Sequence, residues 1–151
     1  MKQYERYRAF DDFAVGEVIH SLGRTVNEAD VVLFTGLAGI KAPLFIDAEY
    51  CKTQSRYGRR IVPGLLTASL GAGMMEDILG PYVVAALEID ALRFHLPVFP
   101  GDTLRAAIHV METHPTSDGK HGVLSVRTVM ANQDERDVFE LRAKFLMKRD
   151  S

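Results

Sequence analysis

Residues 64–81, GLLTASLGAGMMEDILGP, restrict the folds open to this chain more than any other stretch. The run carries no charge until Glu76 and stops at Gly80 followed by Pro81, a pair that ends helices. Its length and spacing read as one helix, apolar on nearly every side, and such a helix needs walls on several sides. Ala68, Ser69, Gly71, Ala72 and Gly73 form a stripe small enough for a sheet to approach the backbone closely. The helix is therefore expected at the centre of the molecule, with the rest of the chain as its cover.

That cover is legible as strands. In DTLRAAIHVME the apolar set is Leu104, Ala106, Ile108 and Val110, and in GVLSVRTVMANQ it is Leu124, Val126 and Met130. DVFELRAKFLMK puts Phe139, Leu141, Ala143, Phe145 and Met147 on one face and Glu140, Arg142 and Lys144 on the other. An earlier strand, VVAALEIDALRFHLPVF, changes phase from Leu87 and Ile89 to Leu92, Phe94 and Leu96, which requires a bulge near Asp90. Pro100 and Gly101 turn the chain into the next strand.

The first half is helical after a short extended piece, GEVIHSLGRTV. Asn27 caps a helix over 28–37 with Asp30 at its third position, leaving Val31, Val32, Phe34 and Leu37 to face a core. Asp47 caps a second, short helix in AEYCKTQSRY, closed by Gly58. A curved antiparallel sheet wrapped around one long apolar helix is the α+β hotdog fold, here a single domain over 1–151. One helix cannot fill both the concave face and the sheet edge, so a homodimer is expected.

Composition narrows the function classes. The chain is 47% hydrophobic and 25% charged with a net charge of -2, which fits a soluble domain and offers no basic field for nucleic acid. No apolar run reaches the roughly 20 residues of a membrane span, and MKQYERYRAF lacks the apolar core of a leader, so a cytoplasmic location is expected. The single cysteine, Cys51, has no partner spacing and reads as a small packed thiol. His109, His114 and His121 fall on outward or hairpin positions, and His20 lies in the extended piece without a recognisable partner.

FDDFAVGEVIHSLGRTVNEADVVLFTGLAG, DAEY, YGRRIVPGLLTASL, RFHLPVFPGDTL and ANQ together resemble the MaoC-like dehydratases, the group that includes the R-specific enoyl-CoA hydratases. The resemblance implies a hotdog dimer that adds water to a 2-enoyl thioester or removes it from a 3-hydroxyacyl thioester. The substrate would be carried on CoA or acyl carrier protein, and no cofactor or metal is expected. In the family's pattern the exit of the first helix reads Gly-Asp-x-Asn-Pro-x-His-x-Asp, whose Asp and His hold the catalytic water. The corresponding residues here are Gly39, Ile40, Lys41, Ala42, Pro43, Leu44, Phe45, Ile46 and Asp47. Ile40 and Phe45 thus stand at the dyad positions and cannot transfer a proton. Pro63 stands where the family has histidine, while Gly64, whose N–H the resemblance aims at the thioester carbonyl, is present.

Three readings follow. The chain is an enoyl-CoA hydratase or dehydratase with a relocated acid and base, for which Glu88, Asp90 and His95 are the candidates. Alternatively, it is a non-catalytic acyl-thioester-binding subunit, with the acyl tail running along Leu65, Leu66 and Ser69 past Ile40 and Phe45, in a heterodimer with an active partner. The third reading, a hotdog thioesterase, needs a carboxylate near the helix start, and residues 63–66 supply none. Lys41 and Asp47 are the nearest polar residues to the vacated positions; Asp47 is better explained as a cap.

Overall fold

The computed structural model describes residues 6–150; the first five residues, part of the segment on which the expectation of no leader rests, lie outside the described residues. The elements are β1 (Val18–His20), β2 (Arg24–Thr25), α1 (Glu28–Ala38), α2 (Pro43–Ile46), α3 (Ala48–Gln54), α4 (Gly64–Leu79), β3 (Val83–Phe94), β4 (Thr103–Pro115), β5 (His121–Ala131) and β6 (Asp137–Lys148). The strands form one antiparallel sheet in the order β1-β4-β5-β6-β3, with β2 added on β4. The sheet wraps α4, which is the hotdog arrangement.

The alternation along β4, β5 and β6 decides which face holds the helix. Leu104, Ala106, Ile108, Val110, Leu124, Val126, Met130 and the odd-numbered set from Phe139 to Met147 are all buried, as the two-residue period requires. From α4, Leu66, Thr67, Gly71, Met75 and Leu79 are buried against them. Gly71 is small for a reason: a Cβ there would lie 2.8 Å from the sulfur of Met130. The expected bulge is present. Between Asp90 and Arg93 the pairing of β3 with β6 slips by a residue, and Ala91 takes φ 51 to absorb it.

Three expectations are corrected. Val32 and Leu37 do not face a core: they are 60% and 89% exposed, because α1 rests on a narrow face where Val31 and Thr35 are buried and Phe34 half-buried. The helix capped by Asp47, α3, ends at Gln54, before Gly58, whose φ of 72 serves the following turn instead. And α4, expected as the covered centre of the molecule, is open along one flank, where Leu65 is 59% exposed and Ser69 and Gly73 are also exposed. The caps stand as expected, Asp47 accepting the Tyr50 N–H at 2.9 Å and Asp30 the Asn27 N–H at 2.8 Å. Cys51 is buried, its Sγ 3.2 Å from the Leu44 carbonyl.

Candidate functional site at the start of the central helix

The chain enters α4 through Val62 and Pro63. Val62 donates its N–H to the Val98 carbonyl at 2.7 Å, which ties the helix start to the segment between β3 and β4. Proline as N-cap has no side-chain acceptor, so its carbonyl takes the N–H groups of Leu66 and Thr67 at 2.9 and 3.2 Å. The amides of Gly64 and Leu65 have no acceptor three or four residues back within the helix and are the ones a ligand could use, with the positive end of the helix dipole behind them.

A cavity of about 420 Å³ opens at this point. Phe45, Tyr57, Phe94 and Phe139 make aromatic walls, and Gly64 and Leu65 contribute the helix start. The rings of Phe94 and Phe139 are 5.3 Å apart at their centroids. Gly64 is needed for a reason the sequence alone did not suggest. A Cβ there would lie 2.5 Å from the Phe94 ring, so the absent side chain is what lets that ring lie against the first turn.

Of the sequence-predicted site residues, Phe45, Gly64, Leu65 and His95 border the cavity. Ile40 does not. It is half-buried at the α1 exit, its N–H bonded to the Thr35 carbonyl at 3.0 Å. Leu66 belongs to the core, and Ser69 lies on the exposed flank with its hydroxyl on the Leu65 carbonyl at 2.7 Å. Neither lines the cavity. Tyr57, Phe94 and Phe139 line it without having been singled out; the inward phase of Phe94 and Phe139 was the available signal.

The candidate proton carriers are distributed less favourably. No carboxylate lines the cavity among the described residues. Glu88 pairs with Lys144 at 3.4 Å, and with Asp90 and Arg142 it borders a separate hollow on the other face of the sheet. His95 places Nε2 3.4 Å from a Glu140 carboxylate oxygen, and Glu140 accepts from Arg127 Nε at 2.9 Å. Burial pushes the Glu140 carboxyl up, but Arg127, by hydrogen bond and charge, and His95 outweigh it and hold it below the ordinary range. Because Phe139 and Leu141 point into the core, Glu140 between them points away from it, and the imidazole that meets Glu140 is drawn to that outer face. The remaining histidines are apart: His114 is 3.0 Å from Glu112, His121 is 2.6 Å from Asp118, His20 is exposed on β1, and His109 is half-buried in β4 opposite Arg127. Lys41 is exposed.

Comparison with known proteins places these features in a context. A family described as MaoC like domain matches residues 12–132. The β-methylmalyl-CoA dehydratase of Chloroflexus aurantiacus is 32% identical over 143 residues, 93% of this chain and 40% of that protein. An (R)-specific enoyl-CoA hydratase of Rhodospirillum rubrum is 33% identical over 104 residues, covering 67% of this chain and 68% of its own length. The crystal structure of a monoamine oxidase regulatory protein from Archaeoglobus fulgidus superposes with a TM-score of 0.85 at 31% identity, over 96% of this chain and 97% of that one. The chain spans about two-fifths of the length of the dehydratase it matches.

Proposed function

From the premise that the chain belongs to the MaoC-like domain family, we propose that it binds acyl thioesters without itself adding or removing water. The observation that carries this reading is the cavity at the start of α4, about 420 Å³, walled by aromatic rings and bordered by no carboxylate among the described residues. Hydration of an enoyl thioester needs a base to take a proton from water and an acid to deliver one to the α-carbon. Each must stand within about 3 Å of its proton. Ile40 and Phe45, which we assign to the dyad positions, can do neither. What the site retains is an oxyanion device, the free Gly64 and Leu65 amides, and an apolar channel for the acyl tail.

In this reading the thioester carbonyl accepts from the first amides of α4 and the tail lies between Leu65, Phe45, Tyr57 and Phe94. The carrier is CoA or acyl carrier protein. Two copies pair, or this chain pairs with a dyad-bearing homologue for which it shapes the channel. A hydratase or dehydratase with a relocated base is the second reading, supported by the position of His95 at the cavity edge with Glu140 behind it. It requires the imidazole to leave Glu140 and turn inward. A thioesterase has the least support, since that chemistry needs a carboxylate near Gly64.

Calorimetry with saturated acyl-CoA esters of increasing length, run beside a crotonyl-CoA hydration assay, tests the proposal. Affinity is expected to rise with length, by up to about 0.8 kcal/mol for each methylene buried, and hydration to be absent. Turnover of roughly 1 per second or more, abolished by His95→Gln, would establish the second reading in its place. Equal, weak binding at every length would remove the acyl channel.

A further inference from the structure

The face of the sheet turned away from α4 carries charge unevenly. β5 and β6 set Arg127 directly opposite Arg142, and β3 sets Arg93 opposite Glu140 of β6. The alternation that buries Val126, Thr128, Phe139, Leu141 and Ala143 turns Arg127, Glu140 and Arg142 outward, and Arg93 shares the face of the residue it opposes. Arg93 reaches that face only through the bulge. It lies three positions beyond Asp90, so an unbroken pleat would put the two on opposite faces, and Ala91, with φ 51, restores the phase. A residue in a conformation unusual for alanine thus brings a third guanidinium to the other two, and Ala91 itself borders the hollow they enclose.

That hollow measures about 520 Å³, and its charged lining is Arg93, Arg127, Arg142 and Glu140. Like charges directly opposite on neighbouring strands repel, so the Arg127 and Arg142 pair is costly unless something negative lies against it. Within the chain the relief is partial. Glu140 is the one carboxylate on the hollow, and it is committed to Arg127, whose Nε donates to it at 2.9 Å, and to His95, 3.4 Å away. Arg93 and Arg142 have no ion pair or side-chain hydrogen bond among the described residues, although Asp90 stands opposite Arg142 in register. Asp90 borders the neighbouring hollow with Glu88, Glu112 and Lys144 instead. On the far side of Arg127 the residue opposite is His109, which adds no acid. Three guanidiniums against one carboxylate leave two positive charges facing the hollow.

We infer that this hollow binds a small multivalent phosphate anion, such as pyrophosphate or the diphosphate of a nucleotide, at a site separate from the acyl cavity. An anion of that charge compensates the excess, and its adjacent phosphates give each guanidinium a pair of oxygens to engage. Arginine at all three positions suits this use better than lysine, because a planar fork meets phosphate oxygens in pairs where an ammonium is a point charge. The donors stand on three hydrogen-bonded strands, so their spacing is held by the sheet rather than by loops. The separation from the acyl cavity follows from the faces: the cavity opens on the core side at the start of α4, and the hollow opens on the outer side. Only the contact between His95 and Glu140 lies between them.

Calorimetry of the full chain with inorganic pyrophosphate and with ADP, at low ionic strength, tests the site. Arg93→Gln and Arg142→Gln are each expected to weaken pyrophosphate binding by about ten-fold or more, as the loss of charged hydrogen bonds. Arg93→Lys is expected to weaken it too, because the charge stays and the fork is lost. Arg105→Gln, which removes a charge from β4 outside the hollow, is expected to leave it unchanged. Thermal melts supply a second reading. Without anion Arg142→Gln is expected to melt no lower than the parent, since it removes a repulsion, and to lack the rise that pyrophosphate gives the parent. ADP binding more tightly than pyrophosphate would identify a nucleotide as the ligand, and equal affinity the phosphates alone; both support the site. A parent that binds neither anion overturns the inference, as does equal weakening by Arg105→Gln, which would mean a diffuse field holding an adventitious ion only. One equivalent of a saturated acyl-CoA that blocks pyrophosphate would make the hollow part of the thioester site and overturn it as well.

Discussion

Gly64 and Phe94 act as one unit. The ring occupies the space a side chain at 64 would need, so Gly64→Ala must displace an aromatic that rests on Phe139. We expect Gly64→Ala to cost about 1–3 kcal/mol as overpacking, and to cost much less in a Phe94→Ala background. Denaturant unfolding of the four proteins of that cycle measures the coupling. Glu140 makes a different residue-level prediction. Its folded pKa lies below its unfolded value, so the stability it contributes is present above the unfolded value and is lost as pH falls through the folded one. Glu140→Gln is therefore expected to melt below the parent at neutral pH, with the gap closing as pH falls through and below the ordinary glutamate value of about 4.3. A gap that stays constant down to about pH 3 would show that the Arg127 and His95 contacts contribute nothing through charge.

Elements differ in how much of their surface the fold uses. In α1 only the Val31 and Thr35 face is buried, and a Cβ at Gly36 would meet nothing within 4 Å. Gly36→Ala is expected to stabilise the chain by about 0.5–1 kcal/mol, since it removes backbone freedom from the unfolded state and adds no clash. Gly71 in α4 is the opposite case. A methyl there presses on the Met130 sulfur, so Gly71→Ala is expected to lower stability despite its better helix propensity. Thermal melts of both variants compare the two effects directly. The contrast is invisible in the sequence, where both are glycines flanked by apolar or small residues inside a helix.

For the molecule as a whole, acyl binding and self-association are expected to be linked. The cavity wall formed by Leu65 and Phe94 is over half exposed in one chain, so a partner that covers it should raise acyl affinity, and an acyl ligand should in turn tighten the pair. Sedimentation with and without a saturated medium-chain acyl-CoA reads this as a shift of the dimerisation constant. An unchanged constant would mean that the cavity is complete within one chain.

What the sequence determined by itself is what local periodicity and chain punctuation carry. The uncharged run from Gly64 forced a central helix, and the alternation in β4, β5 and β6 forced one apolar face to meet it. The phase change around Asp90 forced a bulge, and Asp47 was legible as a cap because a cap is satisfied within its own turn. Only the tertiary structure decided which apolar residues of α1 and α4 are used. Burial depends on what lies opposite, and Val32, Leu37 and Leu65 are left more than half exposed in this chain. It also decided that Phe94 and Tyr57 wall a cavity with Phe45 while Ile40, Leu66 and Ser69 do not, and that His95 reaches Glu140. Those are contacts between segments distant in sequence, set by the register of β3 on β6 and the entry angle of α4, which no single stretch of the chain encodes.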